Sequence, residues 1–228
     1  GIGRISCTVM DVSGRLSRLV ISESAEFVLV LRVEDIRWLT GFTGGTAQLL
    51  VHRGNHEAWL LVDGRYFERA TDETTASCAA VNIERVVPEV STDEMIARLV
   101  GESSVAVDPT HLTAHFMNVL QSHCTVVQER TQLDDLRRVK DEAEISLIAS
   151  AASIADNALL SVLTDGLAGK TEKQIRNRLD HLMRETGADD VAFDTIVATG
   201  PLGARPHHEP SDAVVEDGHG VVIDFGAM

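Results

Sequence analysis

Short apolar runs separated by polar turns fill the first half of the chain. EFVLVL (Glu26–Leu31), AQLLV (Ala47–Val51), AWLLV (Ala58–Val62), VNIERVV (Val81–Val87), SVAVD (Ser104–Asp108) and TVVQ (Thr125–Gln128) have the length and residue types of strands. The intervening segments 65–80, 92–100 and 109–121 predict helices. Thr92 is placed to cap the second of these, with Asp93 and Glu94 in its first turn at the positive end of the dipole. Strands alternating with helices predict an α/β layer, helices packed on a sheet.

The period changes near Gln132. From Asp134 to about Leu163 the pattern predicts one long helix. Its apolar stripe runs through Leu136, Val139, Ala143, Leu147, Ile148, Ala152, Ala155, Leu159 and Leu163. Gly166 and Gly169 end it. Thr171 and Gln174 have capping-box spacing and open a second helix, with Ile175, Leu179 and Leu182 inward and Gly187 as its stop. VAFDTIVATG then predicts a strand, followed by a Gly- and Pro-rich loop and a last strand from Val221. The predicted boundary lies near Thr131, giving domains 1–131 and 132–228. There is no internal repeat and no low-complexity tract.

Composition narrows the function classes. The 228 residues suit one large domain or two small ones, and 44% hydrophobic content supports a packed core. Aromatics make up only 4% and the net charge is -15, so nucleic acid is excluded as a partner. Cys7, Cys78 and Cys124 are scattered without metal-ligand spacing and are expected as buried apolar residues in a reducing compartment. No uninterrupted apolar stretch of about 18 residues predicts a membrane span, and the start lacks the pattern of a signal peptide. These features place the protein in the cytoplasm, away from membranes.

Candidate chemistry concentrates near the end. In VVIDFGAM, Asp224 follows three β-branched residues. A carboxylate on a buried strand requires a partner such as a cation; a strand ending at Ile223 would instead leave Asp224 as a solvated turn residue. Gly226 permits close backbone approach. In TGPLGARPHHEPSD, stiff Pro206 presents His207, a residue type suited to proton transfer or carbonyl polarisation; the alternative is a polar surface loop. LTGFTGG (Leu39–Gly45) follows a predicted strand and reads as a tight turn rather than a phosphate cradle. In VDGRY, Asp63 is placed to cap a helix. HLTAH sets His111 and His115 one helical turn apart, but Leu112 stands where a zinc peptidase has Glu, so the pair is read as chance.

LTGFTGG, LLVDGRY, LRRVKDEAEI, FDTIVATGP, ARPHHEPSD and GVVIDFGA occur in the order found in Xaa-Pro aminopeptidases and Xaa-Pro dipeptidases (prolidases), and from about Val30 onward the chain resembles that family of pita-bread metallopeptidases. The resemblance implies a ribonuclease H-like α/β N-terminal domain followed by the first part of an α+β pita-bread domain. It implies a two-metal hydrolase for Mn2+, Co2+ or Zn2+, acting on proline-containing peptides as a homodimer. Asp224 matches the first carboxylate metal ligand of the family; the other four ligands match nothing up to Met228. His207 matches the loop histidine that contacts substrate near the scissile bond. Phe193 and Asp194 match a strand of structural role, and His219 stands where the family usually has Asp. The N-terminal domain, with LTGFTGG as its candidate, is expected to wall the pocket. The chain alone is expected to bind no metal stably and to lack activity. Two other readings are a non-catalytic pita-bread binding module and a creatinase-like C–N hydrolase.

Overall fold

The computed structural model of the protein describes residues 10–228, so the reading of Cys7 lies outside the described residues. Contacts divide the chain into two units, changing over between Val139 and Lys140.

In the first unit all six predicted strands form: β1 (Phe27–Val30), β2 (Gln48–His52), β3 (Ala58–Asp63), β4 (Asn82–Val86), β5 (Ser104–Val107) and β6 (Thr125–Gln128). They make one sheet in the order β4-β3-β2-β1-β5-β6. The β1–β2 and β2–β3 pairs are antiparallel. The β3–β4, β1–β5 and β5–β6 pairs are parallel. Successive side chains leave opposite faces of a strand. Val28, Val30, Leu49, Val51, Leu60 and Val62 therefore enter one core, and Phe27, Leu29, Leu50 and Leu61 the other. Burial on both faces is why these strands read as continuous apolar runs rather than alternating ones.

Helices α1 (Val33–Thr40), α2 (Phe67–Ala76) and α5 (Leu133–Arg138) cover the first face with Ile36, Leu39, Ala70 and Leu133. Helices α3 (Thr92–Val100) and α4 (Ala114–His123) cover the second with Ile96, Val100 and Leu120. Helix α1 corrects the sequence reading: LTGFTGG follows a helix, not a strand. Its eight residues span barely two turns, too short for a periodic signal. Gly41 caps it in the left-handed region at φ 75°.

Four local expectations shift. Ser91, not Thr92, caps α3, accepting the Glu94 N–H at 3.3 Å. Asp63 does not cap α2; its Oδ1 accepts the Arg65 N–H at 2.8 Å, closing the turn before the helix. The segment 109–121 splits at Leu112, whose backbone is extended, so His111 and His115 do not share a helix. Cys78 is exposed at φ 57°, contrary to the buried role expected of it. Cys124 is half-buried, and that burial pushes its thiol pKa up.

The long helix predicted from 134 to 163 is two helices. Helix α5 packs in the first unit: Leu133 is fully buried there, and Arg137 donates to buried Asp35 of α1 at 2.9 Å. Arg32 completes the network with bonds of 2.8 and 2.7 Å to the same carboxylate. Contacts thus change units after α5 rather than near Thr131. Val139 is extended, and Asp141 restarts the chain with a capping box to Glu144, both bonds 2.9 Å.

The second unit contains α6 (Glu142–Thr164), α7 (Glu172–Glu185) and an antiparallel pair, β7 (Ile196–Thr199) with β8 (Val221–Asp224). The predicted Thr171–Gln174 capping box forms, and Ile175, Leu179 and Leu182 are buried. The predicted stripe on α6 does not hold. Ala155, Ala158 and Val162 form its buried face, whereas Ile145, Leu147, Ile148, Leu160 and Leu163 are exposed. By length and composition alone α6 is apolar enough to cross a membrane, although Glu144, Asp156 and Asn157 interrupt its apolar run. Its small residues pack in one core with α7.

Candidate functional site

Strand β7 is shorter than the VAFDTIVATG pattern suggested. Phe193 and Asp194 precede it, exposed, and only Val191 makes an isolated bridge, to Ala227. Gly226 earns its place by contact: a Cβ there would lie 3.2 Å from the Ala192 Cβ and 3.3 Å from the Phe193 ring. The Ala192 N–H bonds the Gly226 carbonyl at 2.8 Å. This packing fixes the chain just beyond Asp224.

Asp224 is the last residue of β8, opposite Ile196. It is exposed, because among the described residues β8 pairs with β7 alone and its burial alternates between half-buried and exposed. Of the two readings, a buried carboxylate or a solvated residue after a strand ending at Ile223, the exposure matches the second, although the strand itself extends through Asp224. His207 lies in the loop from β7 to β8. It is exposed, in the left-handed region at φ 54°. A non-glycine residue there is uncommon and persists when its surroundings hold it. Asp224 and His207 thus belong to one hairpin, but among the described residues no group of three or more His, Cys, Asp or Glu side chains is placed to hold a metal ion. His219 precedes β8, its ring packed beside Gly200.

The most elaborate polar cluster of this unit centres on Glu172, the first residue of α7 and fully buried. Its Oε1 accepts the Thr199 N–H at 2.8 Å. Its Oε2 accepts His208 Nε2 at 2.9 Å, the Ser211 N–H at 2.8 Å and the Ser211 hydroxyl at 2.7 Å. Burial alone would raise its pKa; His208 and the other donors outweigh that and bring it down to about 2. An ionised carboxylate only accepts, so His208 Nε2 carries its hydrogen. The sequence reading missed Glu172. Its only signal was an acid after a capping Thr, which ordinarily marks a solvated group at the helix dipole.

The Leu39–Gly45 loop belongs to the first unit. Phe42 is buried edge-on to Tyr66, ring centroids 5.9 Å apart. Glu73 accepts the Thr43 N–H and hydroxyl, each at 2.7 Å, and Arg69 Nε at 2.9 Å. Glu73 thus takes both Thr43 donors of this loop.

Comparison with known proteins gives the same division. Residues 14–139 match the creatinase/prolidase N-terminal domain, and residues 146–228 match metallopeptidase family M24. An Xaa-Pro dipeptidase of Pyrococcus horikoshii is 28% identical over 226 residues, 96% of this chain and 62% of that protein. The structure is similar to that of an X-Pro aminopeptidase from Thermotoga maritima, with TM-score 0.78 and 30% identity over 93% of this chain and 60% of the other. It is likewise similar to an Xaa-Pro dipeptidase from Bacillus anthracis, with TM-score 0.79 and 27% identity over 89% of this chain and 56% of the other. The chain thus spans about 60% of the length of such relatives. Motif order, six-stranded sheet and family match agree: the chain belongs to the creatinase/prolidase family, with that family's N-terminal domain followed by part of an M24 pita-bread domain.

Proposed function

We propose that this chain serves a metal-dependent peptidase that hydrolyses the bond between an N-terminal residue and proline. The observation that carries this reading is the hairpin itself. It holds an exposed carboxylate, Asp224, and an exposed histidine with a left-handed backbone, His207; the motif resemblance proposes the first for metal and the second for substrate. Asp224 is proposed as one ligand of a divalent cation, and carboxylate with imidazole donors suits Mn2+, Co2+ or Zn2+. His207 is proposed to donate a hydrogen bond to the substrate carbonyl. The described residues do not by themselves fit a two-metal centre. A divalent centre built on Asp224 would need further donors beside it. Family membership supports a cytoplasmic homodimer whose first domain limits substrate length.

The test is an assay of a longer polypeptide containing this chain, supplied in turn with each of the three metals, on Xaa-Pro dipeptides and longer peptides. Cleavage before proline, lost on chelation and reduced by Asp224→Asn about 100-fold or more, is expected. Failure on every Xaa-Pro peptide with every metal would sink the reading, and hydrolysis of creatine instead would move the protein to C–N hydrolysis.

A further inference from the structure

We propose that Glu172 and His208 form a positioning pair that holds His207 in its left-handed conformation for substrate, an inference that rests on the role proposed above for His207. His207 makes no hydrogen bond among the described residues, yet sits at φ 54°. Its neighbours must supply the constraint. On one side Pro206 fixes the backbone. On the other, His208 is buried to 9% exposure and bonds the fully buried Glu172.

The same carboxylate reaches both ends of the loop. It accepts Thr199 at the end of β7 and Ser211 beyond the histidines. One side chain thus closes the segment that presents His207. The backbone makes a separate attachment farther along: Glu172 N–H bonds the Ala213 carbonyl at 3.1 Å, and Lys173 N–H bonds the Ser211 carbonyl at 3.2 Å. That attachment does not include residues 206–208. The side-chain bond from His208 is therefore the specific handle on the turn, and its loss should loosen the turn without undocking the rest.

Two substitutions separate the roles. His208→Gln keeps an N–H donor near the position of Nε2, whereas His208→Leu removes it. In hydrogen–deuterium exchange on the 228-residue chain, His208→Leu is expected to speed exchange of residues 202–209 about tenfold, with α7 and β8 unchanged. His208→Gln should remain close to the parent. In the longer metal-supplied polypeptide, His208→Leu should lower kcat for Xaa-Pro cleavage about tenfold, and adding it to His207→Ala should cost nothing more, because the pair acts through His207. Unchanged exchange in His208→Leu, equal loosening in His208→Gln, or additive losses with His207→Ala would overturn the proposal. Should His208→Leu fail to fold, His208→Asn, whose shorter amide stops short of Glu172 and leaves the Thr199 and Ser211 bonds in place, is read in the same way. If no Xaa-Pro peptide is cleaved but exchange follows the Leu–Gln contrast, the peptidase reading falls and the positioning of the turn stands. Cleavage with flat exchange sinks the positioning alone.

Discussion

Gly41 shows how much one backbone position carries. At φ 75° it ends α1, and a Cβ there would stand 2.5 Å from the Ser77 Cβ, whose own hydroxyl bonds the Thr40 carbonyl at 2.7 Å. Gly41→Ala meets both a left-handed penalty and a clash, so a loss of about 2–4 kcal/mol is expected. The midpoint of urea unfolding measures it; an unchanged midpoint would mean the turn is slack. Glu172 makes a prediction in pH. Its folded pKa is about 2 against the ordinary 4.5, so the folded state binds fewer protons than the unfolded state in that window. The resulting stability is present above pH 4.5 and is lost as pH falls toward 2, on the order of 3 kcal/mol in all. Glu172→Gln should flatten that part of the stability–pH curve; an identical curve would show the carboxylate to be unperturbed.

At the scale of elements, α6 has two apolar faces with different fates. Ala155, Ala158 and Val162 pack in one core with Leu179 of α7, whereas Ile148 and Leu160 are 57% and 61% exposed. Ile148→Lys and Leu160→Lys should therefore each change stability by no more than about 0.5 kcal/mol. Leu179→Ala, in the buried layer, should cost about 2–5 kcal/mol. Chemical denaturation of the three variants decides the matter, and a large loss from either lysine would show that the outer face is packed in solution. The stripe failed as a guide because a helix rich in apolar residues all round gives periodicity no contrast. Only the partner α7 selects the small-residue face, where Ala158 allows close approach.

For the whole chain, the decisive observation is that among the described residues no group of three or more donors converges at Asp224 or elsewhere. Without three convergent donors among the described residues, the 228-residue protein should neither bind Mn2+, Co2+ or Zn2+ stoichiometrically nor cleave Xaa-Pro peptides. Titration calorimetry and a peptide assay on a preparation of verified mass would check this, and turnover by that preparation would refute it.

Much of this was legible in the sequence, because the signals are local. The six strands, the capping box at Thr171 and the ordered motifs that identify the family each lie within a short span. Such spans also placed His207 in the loop before the last strand, and left Asp224 either on that strand or just beyond it. Helix α1 was lost because eight residues give too few turns for a period, and the break at Val139 was hidden by apolar residues that continue the helical spacing on both sides. Glu172 illustrates the other limit. Its partners lie 27, 36 and 39 residues away, and no local pattern separates a buried acceptor from a solvated first-turn acid. Sequence alone determined the six strands, the second helix of the second unit and the family, since hydrophobic period, caps and motifs are properties of neighbours along the chain. Tertiary structure decided which face of α6 is buried, that Asp224 is open, and that Glu172 grips the histidine loop, since burial and hydrogen bonding depend on what distant segments bring into contact.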